Sequence, residues 1–168
     1  PHFPIYDASG DFNWVGAPDI NPAAVLLQTS KSETSNLLSH LQTDYAITKD
    51  LRIKLSLGYT YTMLGQVNKF PKASLHPLYG SESYVHYGDN KTSLIIGEPQ
   101  LEYKRKFKEH QLQVLTGLTW QQSIRKGSFT TGRNYTTEEL LDFIGAAGTI
   151  SASNQYSEYK YASVFTRM

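Results

Sequence analysis

From Leu51 to Met63 the chain alternates without a break. Leu51, Ile53, Leu55, Leu57, Tyr59, Tyr61 and Met63 fall on one side, and Arg52, Lys54, Ser56, Gly58, Thr60 and Thr62 on the other. A period of two belongs to a pleated strand, since a helix would bring residues three and four apart onto one face. The same period predicts a preceding strand from Asn36, with Leu37, Leu41, Tyr45 and Ile47 opposite His40, Gln42 and Asp44. A third strand is expected over about 93–107, where Ile95, Leu101, Tyr103 and Phe107 oppose Glu98, Gln100, Glu102, Lys104 and Lys106. Pro99 removes one ladder donor and marks a bulge or weak point there. A fourth strand, about 111–125, sets Leu112, Val114, Leu118 and Trp120 against Gln113, Gly117, Thr119 and Gln121. A fifth begins near Tyr156.

The connections alternate in length. Lys49-Asp50 and Lys108-Glu109-His110 make tight turns, whereas residues 66–91 and 126–155 read as long loops. Within the second loop, 137–145 is expected to form one short helix behind Thr137 and Glu138, with its acidic first turn facing the helix dipole. Residues 1–35 hold Pro1, Pro4, Pro18 and Pro22 and read as an irregular lead-in to a strand-bearing segment, 36–168. Pro1 opens the chain and Met168 closes it inside a strand pattern, so both ends are expected to be cuts.

The expected fold is therefore all-β: about five long antiparallel strands, with short turns alternating with long loops. Short turns on one side and long loops on the other characterise outer-membrane barrels. The expected strands also exceed the roughly 5–6 residues usual in soluble sheets and suffice for a tilted span of about 9–11. Aromatic positions agree. Tyr59, Tyr61 and Trp120 stand about 25 Å beyond the short turns at roughly 3.3 Å per residue and a tilt near 40°, and Phe107 sits beside its turn, as two girdles require.

Composition narrows the chemistry. The 168 residues carry 16 Lys and Arg against 15 Asp and Glu, a balance that gives no electrostatic reason to expect nucleic acid. Charged residues make up 18%, below the globular norm of about 25%, and Tyr occurs 12 times. Cysteine is absent, which excludes disulfides and thiolate metal sites. The five histidines show no metal-ligand spacing, and no nucleophile elbow, phosphate loop or zinc-protease motif occurs. No enzyme activity, cofactor or metal is expected.

A series of short sequence words resembles the SusC/RagA family of TonB-linked outer-membrane transporters. They are Pro4-Ile5-Tyr6-Asp7, Gly10, Asn13-Trp14, Asn21-Pro22, Lys49-Asp50-Leu51, Leu57-Gly58-Tyr59-Thr60, Glu98-Pro99, Leu101-Glu102-Tyr103, His110, Gly117 and Ser163-Val164-Phe165-Thr166-Arg167. They run in order along essentially the whole chain. The resemblance implies a large barrel of which this chain is one piece, closed by further strands and filled by a plug. It implies import of oligosaccharides or peptides, energised through TonB, with a SusD-like surface lipoprotein on the external loops. Plug and TonB-contacting segment have no counterpart in these residues. The other reading left by the residues is a soluble, secreted β-sheet module that binds carbohydrate.

Site expectations follow from the two faces. His40, Asp44, Arg52, Lys54, Glu98 and Glu102 are expected to line a wet lumen. Tyr59, Tyr61, Trp120 and Phe107 are expected to form lipid-facing girdles in an outer membrane. Tyr79, Tyr84, His86 and Tyr87, in the first long loop, are candidates for substrate contact, because hydroxyl-bearing aromatic rings stack on sugars and hydrogen-bond their hydroxyls.

Overall fold

A computed structural model describes residues 4–15, 20–78 and 82–168. Five strands lie in one antiparallel sheet in chain order: β1 (Thr29–Ala46), β2 (Leu51–Phe70), β3 (Tyr84–Phe107), β4 (His110–Tyr135) and β5 (Ala147–Arg167). β1 and β5 are its edges, and every residue of β1 is exposed. No helix among the described residues is long and apolar enough to cross a membrane.

The strands run further than hydrophobic alternation indicates. β1 begins at Thr29 rather than Asn36, β2 and β3 extend to Phe70 and back to Tyr84, β4 reaches Tyr135, and β5 starts at Ala147 rather than near Tyr156. Much of what read as loop over 66–91 and 126–155 is ladder. These extensions are polar on both faces in places, as in Ser30-Lys31-Ser32-Glu33. Backbone pairing needs no apolar side chain, so a strand wet on both faces leaves no periodic signal. β3 also passes through Pro99 unbroken. The fixed φ of proline suits extended chain, and the only loss is one donor.

The chain divides into two compact units. The turn unit comprises Thr34–Met63, Asn90–Lys126 and Gln155–Met168. Its first turn is held by Thr48, whose Oγ1 accepts from the amides of Asp50 at 3.2 Å and Leu51 at 3.1 Å. In the second, Lys108 adopts φ 51°, the left-handed conformation that a two-residue hairpin demands. The Lys104 amide donates to the Asp50 carbonyl at 2.8 Å, which ties the first turn to β3.

The loop unit comprises Pro1–Glu33, Leu64–Asp89 and Gly127–Asn154. It contains the buried apolar side chains Ala24, Val85 and Leu141. Residues 137–145 form two 3-10 turns, Glu138–Asp142 and Ile144–Ala146, in place of the expected single helix. Leu141 is buried while Phe143 is exposed, so the segment turns one residue type inward without the repeated i, i+4 stripe that sustains a helix. Its close seat depends on Gly132. A Cβ there would meet Ile144 Cδ1 at 2.7 Å and Ala147 Cβ at 3.1 Å, besides the Tyr135 hydroxyl.

In the described part of the lead-in, the buried Asn21 side chain holds distant backbone groups together. Asn21 caps helix α1 (Pro22–Val25), its Oδ1 accepting from Ala23 at 2.9 Å and Ala24 at 3.4 Å. Its Nδ2 donates to the carbonyls of Ile5 at 2.9 Å and Asn13 at 3.0 Å. Nothing in the Pro-rich pattern indicates this, because the partners are backbone groups brought in from far along the chain. Asn21→Ala should cost about 1–2 kcal/mol through loss of the cap. The check is hydrogen exchange at the Ala23 and Ala24 amides, which should quicken. Asn21→Asp, which keeps the acceptor but loses both donors, should free residues 5 and 13 and spare the helix amides.

Candidate functional site

In the turn unit the side chains sort by face. His40 Nε2 lies 2.9 Å from Ser56 Oγ, and Arg52 approaches Asp44 at 3.9 Å. Glu102, almost wholly buried, is shared by Lys54 at 3.1 Å and Lys104 at 2.5 Å and accepts from Gln113 Nε2 at 3.1 Å. Glu98 accepts from Thr119 at 3.3 Å. All six residues expected on the polar side thus stand on one face, each with a partner on the neighbouring strand. The Glu102 cluster departs from an ordinary charged wall, since one carboxylate with three donors is fixed in place where isolated charges would be mobile.

The opposite face is apolar. A Cβ on Gly97 would lie 3.4 Å from Leu57 Cδ2 and 4.0 Å from Trp120 Cε3, which places both beside that glycine. Ile53, Pro99, Leu101, Thr116, Leu118 and Val164 line a shallow groove of about 330 Å³ on the same side. Tyr59, Trp120 and Phe107 are exposed, and Tyr61 is half-buried. Arg105, sharing the parity of Phe107, sets its guanidinium 5.1 Å from that ring.

The loop unit carries an aromatic cluster that joins three strands. Tyr84 stacks on Phe70 with centroids 4.5 Å apart. His86 lies 5.1 Å from Tyr84, 5.5 Å from Phe70 and 5.1 Å from Phe129. Its Nδ1 is 2.9 Å from the Thr131 hydroxyl. Arg133 sets its guanidinium 5.0 Å from the Tyr84 centroid. Burial, and then the nearby charge of Arg133, hold the His86 imidazole below its usual pKa, so it is neutral at pH 7.

The four aromatic candidates do not form one group. Tyr84 and His86 meet in this cluster, while Tyr87 points to the other face and donates to the Leu141 carbonyl at 3.2 Å. The reason is the strand itself: His86 and Tyr87 are consecutive, and consecutive residues of a strand face opposite ways. Tyr79 lies outside the described residues. Phe70, Phe129, Thr131 and Arg133 join the cluster although their segments read as loop in the sequence. The alternation Phe129, Thr131, Arg133 was the available signal.

No family model matches the chain. It is 24% identical over 173 residues to TonB-dependent receptor P3 of Formosa agariphila, a match that covers all of this chain and 17% of that protein. Among solved structures, the RagAB peptide transporter superposes with a TM-score of 0.81 at 17% identity, covering 96% of this chain and 19% of that one. The RagAB peptide importer in its open-open state gives 0.76 at 18% identity, again over 96% and 19%. The chain therefore spans about a fifth of the length of the proteins it matches. Strand pattern, fold and relatives agree: the chain has the fold of a β-barrel segment of SusC/RagA-type TonB-dependent transporters, the family that its sequence resembles.

Proposed function

We propose that this chain forms part of the barrel wall of an outer-membrane importer of the TonB-dependent class. The observation that carries the reading is the sorting of faces in the turn unit, with paired charges on one side and exposed apolar and aromatic side chains on the other. A soluble sheet would cover that apolar side; a barrel wall presents it to lipid. On this reading His40, Asp44, Arg52, Lys54, Glu98 and Glu102 line a wet lumen. Tyr59, Tyr61, Trp120 and Phe107 mark the two membrane interfaces. β3, at 24 residues, would reach about 60 Å at roughly 3.3 Å per residue and a tilt near 40°, well past an apolar band of about 25 Å. On this reading the segments 66–91 and 126–155 belong to the external loops.

The exposed edges β1 and β5 are completed by the remaining strands of the same barrel, which encloses a plug. The cargo class is oligosaccharide or peptide, drawn in with energy from TonB and with a SusD-like lipoprotein over the external loops. The RagAB structures, described as a peptide transporter, support the transport role through the shared fold.

Light scattering and circular dichroism of the chain, with and without detergent, test the reading. Aggregation in plain buffer, with β-signal gained only in micelles or with the rest of the barrel, is expected. A folded, monodisperse monomer in plain buffer would overturn it in favour of a soluble carbohydrate-binding module.

A further inference from the structure

We propose that the loop-unit cluster is a solute site in which Arg133 recognises a carboxylate on the transported molecule. This deepens the transporter reading and rests on it.

Arg133 is exposed, and among the described residues no carboxylate lies within 4.0 Å of it. Its guanidinium is nevertheless ordered, because it lies on the Tyr84 ring, and that ring is stacked in turn on Phe70. A planar fork held on an aromatic face has lost much of its rotamer freedom before a ligand arrives, so less entropy is lost on binding. The fork matches a carboxylate in bidentate fashion, and such pairs are roughly twice as strong as neutral hydrogen bonds.

No described carboxylate forms an ion pair with that charge; Glu82 instead faces the side-chain amide of Asn134. His86 is neutral at pH 7, and Thr131 engages one of its ring nitrogens. Lys69 lies on the opposite face from Phe70, where it pairs with Asp142. On the same strand face, Phe129 packs against His86 and remains 49% exposed. Tyr84, by contrast, already has Phe70 and Arg133 against its ring, so its part is to position the guanidinium rather than to stack on the solute. The arrangement is a single fixed positive charge at one end of an aromatic cluster whose other end, Phe129, is open. It fits a carboxylate on a solute that also carries a ring or an aliphatic stem.

Acidic oligosaccharides and acidic peptides both supply that group, and matched probes separate them. Isothermal titration of the intact barrel carrying this chain would use oligogalacturonate against its methyl ester, and oligoglutamate against oligoglutamine. At least one acid should bind about tenfold more tightly than its neutral match, as expected for one added charge-assisted pair. Arg133→Gln should abolish that preference while leaving the β-signal in detergent unchanged. Arg133→Met takes its place if the glutamine variant does not assemble. Equal binding of acid and neutral match for both pairs would overturn the site, as would an acid preference that survives loss of Arg133. Should the chain prove to be a folded monomer in plain buffer, the transporter reading fails separately. The same titration of that soluble chain would still decide whether Arg133 holds a carboxylate.

Discussion

Leu141→Ala is expected to cost about 2–5 kcal/mol, the range for deleting a buried leucine where the surroundings collapse only partly. Leu141 is 3% exposed and belongs to the 3-10 turn Glu138–Asp142. Its carbonyl accepts from Tyr87, and the next residue, Asp142, pairs with Lys69. Leu141 is therefore the segment's buried apolar anchor among the described residues, and two polar ties join it. With the anchor removed, the ties cannot compensate, since an exposed ion pair adds little. Hydrogen exchange across 138–146 should show local opening while the strands of the turn unit keep their protection. Phe143→Ala is the contrast. Phe143 is 64% exposed, and its loss should stay within about 0.5 kcal/mol. If both variants opened the segment equally, the burial of Leu141 would not be what holds it.

The second large effect concerns the apolar face. Leu55→Arg, near the middle of the proposed span, should cost about 2–4 kcal/mol in the assembled barrel, the depth-dependent penalty of a cation facing lipid at the midplane. A folding titration of the barrel into detergent or lipid reads it directly. Ser56→Arg, one residue on and facing the side of His40 and Glu102, should assemble nearly as well as the parent. One step along a strand reverses the face. Lys54 already places a cation on that side, where Glu102 pairs with it. Unimpaired assembly of the Leu55 variant would show that its face does not meet lipid.

How far the residues foretell the fold depends on what keeps each strand in place. β2 is legible because every second residue from Leu51 to Met63 is apolar, and the same alternation places His40, Asp44, Arg52, Lys54, Glu98 and Glu102 on a shared face. The distal half of β4 carries its own alternation, Phe129, Thr131, Arg133, but Gly127, Gly132 and Asn134 around it read as loop. Asn134, at φ 60°, does leave the regular strand conformation, and the ladder continues through it to Tyr135 regardless.

Sequence alone determined the strand period, the sorting of faces, the short turns and the all-β class, because these are local consequences of side-chain alternation and turn chemistry. Tertiary structure alone decided where the strands end, since backbone pairing between polar segments depends on the neighbour and not on the residues' own hydrophobicity. It also decided which residues meet. Asn21 reaches carbonyls 8 and 16 residues away, and His86 meets Thr131 across 45. Arg133 comes to lie over Tyr84 because β3 and β4 pair in one register, a property of two strands together that neither carries by itself.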